Sequence, residues 1–207
     1  MARSVSAPAL ASGALSCFLL LFGGLPVEAQ SDPGPMSRTQ FGIGYIANAP
    51  EAMAGGSGYV ILPRWGGIGV FVDAKFDISN PTGERGFDPS VTASRIRDQV
   101  GGEFIKGEDS WWSANVGVLR PLTPFLMVYG GGGFARKTLF ELYDVDVNSG
   151  VGEGGVVWAE DPGAQETRAN LMVGIIMRLT GRVSTHLGLE TQPRGLTVGA
   201  SLRIPRW

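Results

Sequence analysis

The side chains with the most chemistry in this sequence are ionisable residues spaced two apart. Asp73, Lys75 and Asp77 alternate with Val72, Ala74 and Phe76, and Ser184, His186 and Glu190 share a spacing broken by Val183, Leu187 and Leu189. A period of two puts each set on one face of a β-strand, opposite an apolar face. Asn115, Arg178 and Arg203 fall on polar faces of the same kind. Serine, histidine and a carboxylate are the types of a nucleophile, its base and its orienting acid. Here Leu187 and Leu189 occupy the other face, so Ser184 and His186 turn toward an interior, where a histidine is ordinarily just hydrogen-bonded. The mixed signs of Asp73, Lys75, Asp77, Arg178, Glu190 and Arg203 predict ion pairs, because an unpaired interior charge is costly. We therefore expect a structural polar network that includes His186, with no enzyme activity and no cofactor. A narrow path for protons or small ions along the same column is the alternative.

Other motifs fall short of their chemistry. Residues 130–138 (GGGGFARKT) resemble a phosphate-binding loop, but Arg136 stands where the glycine before Lys137 is required. Asp144, Asp146 and Asn148 match the first ligands of a calcium loop, yet Gly150 comes a residue late and Gly155 replaces the bidentate glutamate. No metal is expected there. Asp144, Asp146 and an exposed Trp158 are instead candidates for contact with a partner.

The elements carrying these residues read as about eight strands. Apolar Ile68, Val70, Val72, Ala74, Phe76 and Ile78 define one, Ala169, Leu171, Val173, Ile175, Met177 and Leu179 another, and Leu196, Val198, Ala200, Leu202 and Ile204 the last. Weaker alternation places the rest near 39–47, 57–64, 110–120, 125–140 and 183–190. Tight turns (Trp65-Gly66-Gly67, Pro121-Leu122-Thr123-Pro124 and Thr180-Gly181-Arg182) alternate with longer connections, of which 79–109 and 141–167 are the longest. Residues 93–100 are expected as a short helix within the first. Tyr45, Tyr59, Phe76, Trp112 and Phe134 lie near the long-loop ends, and Phe41, Trp65, Phe125 and Trp207 near the short-turn ends. Two such girdles suit rings that meet lipid headgroups.

Residues 1–29 read as a signal peptide, with Arg3, an apolar core through Leu19-Leu20-Leu21-Phe22, and Val27-Glu28-Ala29 before cleavage at Gln30. The mature barrel domain is then 30–207. The one cysteine, Cys17, lies in the leader, so the mature chain has no thiol for a disulfide or a metal. The net charge of −2 argues against a nucleic-acid-binding surface. Glycine is abundant at 32 residues and charged residues make up 17%. Soluble domains carry about 7% glycine and about 25% charge.

The segment Arg120-Pro121-Leu122-Thr123-Pro124-Phe125-Leu126-Met127-Val128-Tyr129-Gly130-Gly131-Gly132-Gly133-Phe134-Ala135 resembles the periplasmic turn and glycine-rich strand of small outer-membrane barrels of the OmpA/OmpX and opacity-protein type. Trp207 resembles their aromatic end, used by the barrel-assembly machinery. The resemblance implies an all-β fold, an eight-stranded antiparallel up-and-down transmembrane β-barrel in the bacterial outer membrane. It implies a monomer in contact with lipid and lipopolysaccharide, with an extracellular partner met through the long loops. Alternation alone also fits a soluble lipocalin-like barrel with the two faces exchanged.

Overall fold

The computed structural model describes residues 39–65, 67–84, 86–146, 150–151 and 155–204. The expected leader, the expected cleavage site and Trp207 lie outside the described residues. Nine strands form: β1 (Gln40–Ala49), β2 (Met53–Ile61), β3 (Gly69–Asp77), β4 (Phe87–Thr92), β5 (Glu103–Pro121), β6 (Leu126–Val145), β7 (Gly155–Arg178), β8 (Val183–Thr191) and β9 (Arg194–Ile204). Their order is β4-β7-β6-β5-β3-β2-β1-β9-β8, and an added β7–β8 pairing closes all except β4 into a ring of eight. Every pairing within the ring is antiparallel. The ring leaves no edge within its height, the condition under which a sheet can cross lipid.

The faces are fixed by register. Tyr59 pairs with Phe71, Ser57 with Asp73 and Gly55 with Lys75, all pointing inward. The intervening Phe41, Ile43, Val72, Val116, Val118, Leu171, Val173, Leu187, Leu189 and Leu202 are exposed on the outside. The exchanged-face arrangement of a soluble lipocalin-like barrel is thereby overturned: Val72 is outside and Asp73 inside. Tyr59 is also corrected, since it is buried in the lumen rather than placed in an outer girdle.

The lower lumen holds an apolar cluster of Ile46, Tyr59, Ile61, Phe71, Leu119, Met127, Tyr129, Met172 and Ile176. Phe71 stacks on Tyr129 with centroids 4.4 Å apart. Rings of this size fit because inward glycines face them. A Cβ on Gly42 would enter the Tyr59 ring, and one on Gly174 or Gly188 would meet Tyr129.

The expected long loops are largely regular structure. The span 79–109 contains β4, a helical turn Ala93–Arg95 continuing into the π-helical turn Ile96–Val100, and the start of β5. The span 141–167 contains the end of β6 and much of β7. The sheet is no longer closed there and both of its faces are partly covered, as the buried runs Phe140-Glu141 and Val157-Trp158-Ala159 show, so the pattern that marks the barrel wall fades. β4 joins β7 in parallel through Phe87↔Trp158 and Thr92↔Glu160, giving this extension the order β5-β6-β7-β4. Val91, Ala93, Ile96, Tyr143, Val145, Val151, Val157 and Ala159 form its own core.

Substituting Gly42→Ala is expected to destabilise the barrel by about 1–3 kcal/mol through overpacking. Tyr59→Leu should remove most of that penalty in the double variant, since the three atoms nearest a Cβ at Gly42 all belong to the Tyr59 side chain. Urea unfolding of the four proteins in a double-mutant cycle measures the coupling. Additive effects would show that the ring does not seat on Gly42.

Candidate functional site

The residues read as a single polar column divide into separate places. Asp73, Lys75 and Glu190 meet in the upper lumen. Lys75 Nζ donates to Asp73 Oδ1 at 2.5 Å and to Glu190 Oε1 at 2.6 Å, and its side chain is 0% exposed. β3 and β8 stand four places apart in either direction around the ring, so the Lys75–Glu190 contact spans its full width. Two asparagines close the circuit. Asn115 Nδ2 donates to Asp73 Oδ1 at 3.0 Å, and Asn170 Nδ2 donates to Asn115 Oδ1 at 3.0 Å and to Glu190 Oε2 at 3.2 Å. Asn170 Oδ1 accepts from the Gln192 N–H at 2.9 Å, tying the ring to the β8–β9 turn. Asn170 was not among the expected site residues, although its parity with Arg178 on one strand face is a usable signal.

The other expected members lie elsewhere. Asp77 is corrected: it is half-buried at the rim, where Oδ1 accepts from the Ser79 N–H at 2.8 Å and the Ser79 hydroxyl at 2.7 Å. The end of β3 leaves it above the lumen. Arg178 sits at the opposite end and donates to Gln40 Oε1 at 2.8 Å. Arg203 is half-buried near that end, where its N–H donates to the Arg182 carbonyl at 2.7 Å. Phe71, Tyr59 and their apolar neighbours separate these arginines from the Lys75 ring. His186 is buried between the two regions, with Nε2 2.8 Å from Ser201 Oγ and its ring 5.8 Å from that of Phe71. Its hydroxyl partner is Ser201 on β9, not Ser184, so the nucleophile–base–acid set is not assembled.

The second polar cluster lies in the extension. Arg97 Nη1 donates to Glu141 Oε2 at 2.8 Å and Nη2 to Asp161 Oδ2 at 2.9 Å. The bond to Asp161 and the nearby carboxylates raise the Arg97 pKa further, opposed by desolvation. Tyr143 Oη donates to Glu141 Oε2 at 2.5 Å; burial, followed by this bond, pushes its phenol up to about 12. The acidic span is therefore partly neutralised from within. Trp158 is corrected from exposed to buried at 2%. Its Nε1 donates to Glu84 Oε2 at 2.9 Å, and Lys106 Nζ lies 4.9 Å from its ring centroid. Asp144 and Asp146 remain exposed; the rest of the calcium-like motif, 147–149, lies outside the described residues. Among the described residues no group of three or more metal-ligating side chains exists.

The chain is similar to Ail, the attachment invasion locus protein of Yersinia pestis, at 14% identity and a TM-score of 0.43, covering 80% of this chain and 97% of that one. It is similar to the N-terminal β-barrel domain of Pseudomonas aeruginosa OprF at 13% identity and a TM-score of 0.41, with the same coverage of 80% and 97%. No family model matches the chain, and no curated protein matches it.

Lys75→Met would leave two buried carboxylates without their cation, and should cost about 3–5 kcal/mol. The triple variant Asp73→Asn, Lys75→Met, Glu190→Gln should recover most of this loss. Denaturant titration of the refolded barrel compares them. Near-wild-type stability of Lys75→Met alone would show that the ring does not hold the lumen together.

Proposed function

We infer that the protein is a non-enzymatic barrel of the bacterial outer membrane whose extension makes contacts at the cell surface. The observation that carries this reading is the apolar outer belt around the ring, with Asp73, Lys75 and Glu190 buried inside. Phe41, Ile43, Val72, Val118, Val173, Leu187 and Leu202 are all exposed. Soluble monomers rarely expose contiguous apolar patches larger than a few hundred Å², and a bilayer covers such a belt on all sides. Strands β1, β2, β3 and β8 have 10, 9, 9 and 9 residues, the length of a tilted strand that spans lipid. No helix among the described residues is long and apolar enough to cross a membrane.

On this reading residues 1–29 are removed on export, the barrel-assembly machinery inserts the mature chain as a monomer, and the short turns face the periplasm. The extension then stands outside the cell. It offers a structured sheet with two open edges, the short β4 and the longer β5: β5 pairs with β3 only up to Phe76↔Trp112, and below residue 112 its paired residues meet β6 alone. An extended segment of a partner can add to such an edge through backbone hydrogen bonds. The register shift between Phe104 and Lys106 and the charges of Lys106, Glu108 and Asp109 guard the β5 edge against indiscriminate pairing. A wide channel is disfavoured by the buried Phe71, Leu119, Ile176 and Lys75 that fill the interior.

Val173 and Val156 are similarly exposed, at 59% and 51%, but only Val173 lies in the belt. Val173→Arg should lower the stability of protein folded into phospholipid vesicles by about 2–4 kcal/mol, and Val156→Arg by less than about 0.5 kcal/mol. Equal effects would remove the membrane reading.

Orientation has its own test, because the mature chain contains no cysteine. A cysteine at Glu108 should react with an impermeant maleimide on intact cells, and one at Thr123 only after permeabilisation. The reverse pattern would place the extension in the periplasm and end the surface-contact reading.

A further inference from the structure

A cleft of about 250 Å³ opens at the upper edge of the belt, between the end of β3 and the β5–β6 sheet. Register builds it: Phe76 pairs with Trp112, and Ser110 with Thr138. Phe76 and its pair Trp112 share one face of the sheet and give the cleft aromatic surface, with Phe76 exposed and Trp112 half-buried; Trp111, the next residue of β5, belongs to the other face. Its polar groups keep unused capacity. Asp77 accepts only through Oδ1, and Asn80 Oδ1 accepts from the Thr82 N–H at 2.8 Å, which leaves Asp77 Oδ2 and the Asn80 amide NH₂. Ser110, Thr138 and the Trp112 indole N–H make no side-chain hydrogen bond among the described residues.

We propose that this cleft binds a single saccharide ring. A pyranose has C–H faces that pack on aromatic rings and a rim of hydroxyls that needs both donors and acceptors. A carboxylate, an amide, two hydroxyls and the Trp112 indole N–H supply both. Other ligands use only part of this set. A lipid chain would cover the polar groups without bonding them. A phosphate would meet Asp77 with no cation in the lining, and a divalent cation would find a single carboxylate. The volume is below the range of about 300–1,000 Å³ typical of drug-sized ligands, which suits one ring rather than a chain. The outward aromatics Tyr45, Phe76 and Phe134 lie at the same end of the belt. The sugar's source therefore rests on the membrane reading above: in an outer membrane, this is the level of a glycolipid headgroup. The saccharide chemistry itself does not depend on that reading.

The test has two arms. Protein folded in detergent micelles is mixed with glucose, galactose or glucosamine, and saturation transfer to the sugar protons is recorded. Transfer is expected for at least one hexose. Trp112→Ala should abolish it, and Asp77→Asn should weaken binding about tenfold, the scale of a hydrogen bond to a charged group. Both variants should keep the heat-modifiable gel mobility of a folded barrel, and if one does not, the other still reads the site. In the second arm the protein is placed in nanodiscs of phospholipid with lipopolysaccharide. The wild type should retain lipopolysaccharide on re-extraction, and Trp112→Ala should not. Binding of free hexose without retention of lipopolysaccharide supports the cleft and assigns it to soluble glycans. Hexose binding by protein that does not enter nanodiscs supports the cleft while removing the membrane reading. A folded, inserted barrel that shows neither hexose transfer nor lipopolysaccharide retention overturns the site.

Discussion

The width of a ring of eight strands governs the rest of the molecule. Such an interior admits side chains and little else, and here a lysine and a glutamate on opposite strands reach each other across it at 2.6 Å. Every inward residue must therefore be matched in size to those it faces. Where Tyr59 and Tyr129 enter, the opposing positions are Gly42, Gly174 and Gly188. Part of the high glycine content follows from this: the ring closes only if bulky interior groups meet positions with no side chain. Polarity is constrained in the same way. A charge in so narrow a space must find its partners within it, and Lys75 does so through a closed circuit of two carboxylates and two carboxamides. A shift of one residue in the β3 register would expel Asp73 and Lys75 into the apolar belt. The circuit thus fixes register as well as filling space.

Above the ring this constraint ends. β5, β6 and β7 continue while β3 and β8 stop, so the sheet opens and both of its faces need cover. One face packs against Ala93 and Ile96 of the helical turns. The other receives Phe87, whose ring meets Phe140 edge-on at 5.9 Å, and Glu84, bonded to Trp158. Arg97 crosslinks Glu141 on β6 and Asp161 on β7, which holds the helical turn to the sheet. The extension is a small folded unit built on barrel strands.

How much of this was legible in the sequence depended on contrast between faces. In the ring one face meets side chains of the lumen and the other is an apolar exterior, so Ile68 to Ile78 and Ala169 to Leu179 announce themselves as strands. In the extension that contrast disappears: Phe140 and Glu141 are neighbours and both are buried. A period of two carries no information when both faces are covered, and 141–167 therefore reads as loop. Trp158 reads as exposed because its surroundings in sequence are acidic and glycine-rich, whereas its partner Glu84 lies 74 residues away. Asp73, Lys75 and Glu190 could be placed on the inward face by spacing and type. Their separation from Arg178 and Arg203 could not, since it depends on how high each strand stands in the ring. Asp77 shares the parity of Lys75 but stands one step too high, beyond the rim.

The rim is where the two regimes meet, and its chemistry differs from both for that reason. The pairing of β6 with β7 shifts register between Lys137 and Leu139, just above the closed ring. Below this shift β6 turns one face to the lumen and the other to the belt; just above it, the consecutive Phe140 and Glu141 are both buried, on opposite faces. Side chains at the shift belong neither to the lumen nor to the extension core. Ser110, Trp111, Trp112 and Thr138 lie at this level, beside the last residues of β3. Neither core covers their aromatic surface, and no neighbouring strand supplies partners for their hydroxyls and indole N–H groups. A surface that is both aromatic and hydrogen-bonding is thus a geometric consequence of ending closure on β3 while β5 and β6 continue. Lengthening β3 to cover it would extend the closed wall, and shortening β5 would remove the platform above. The unequal strand lengths that raise the extension over the barrel also leave the cleft open at its foot.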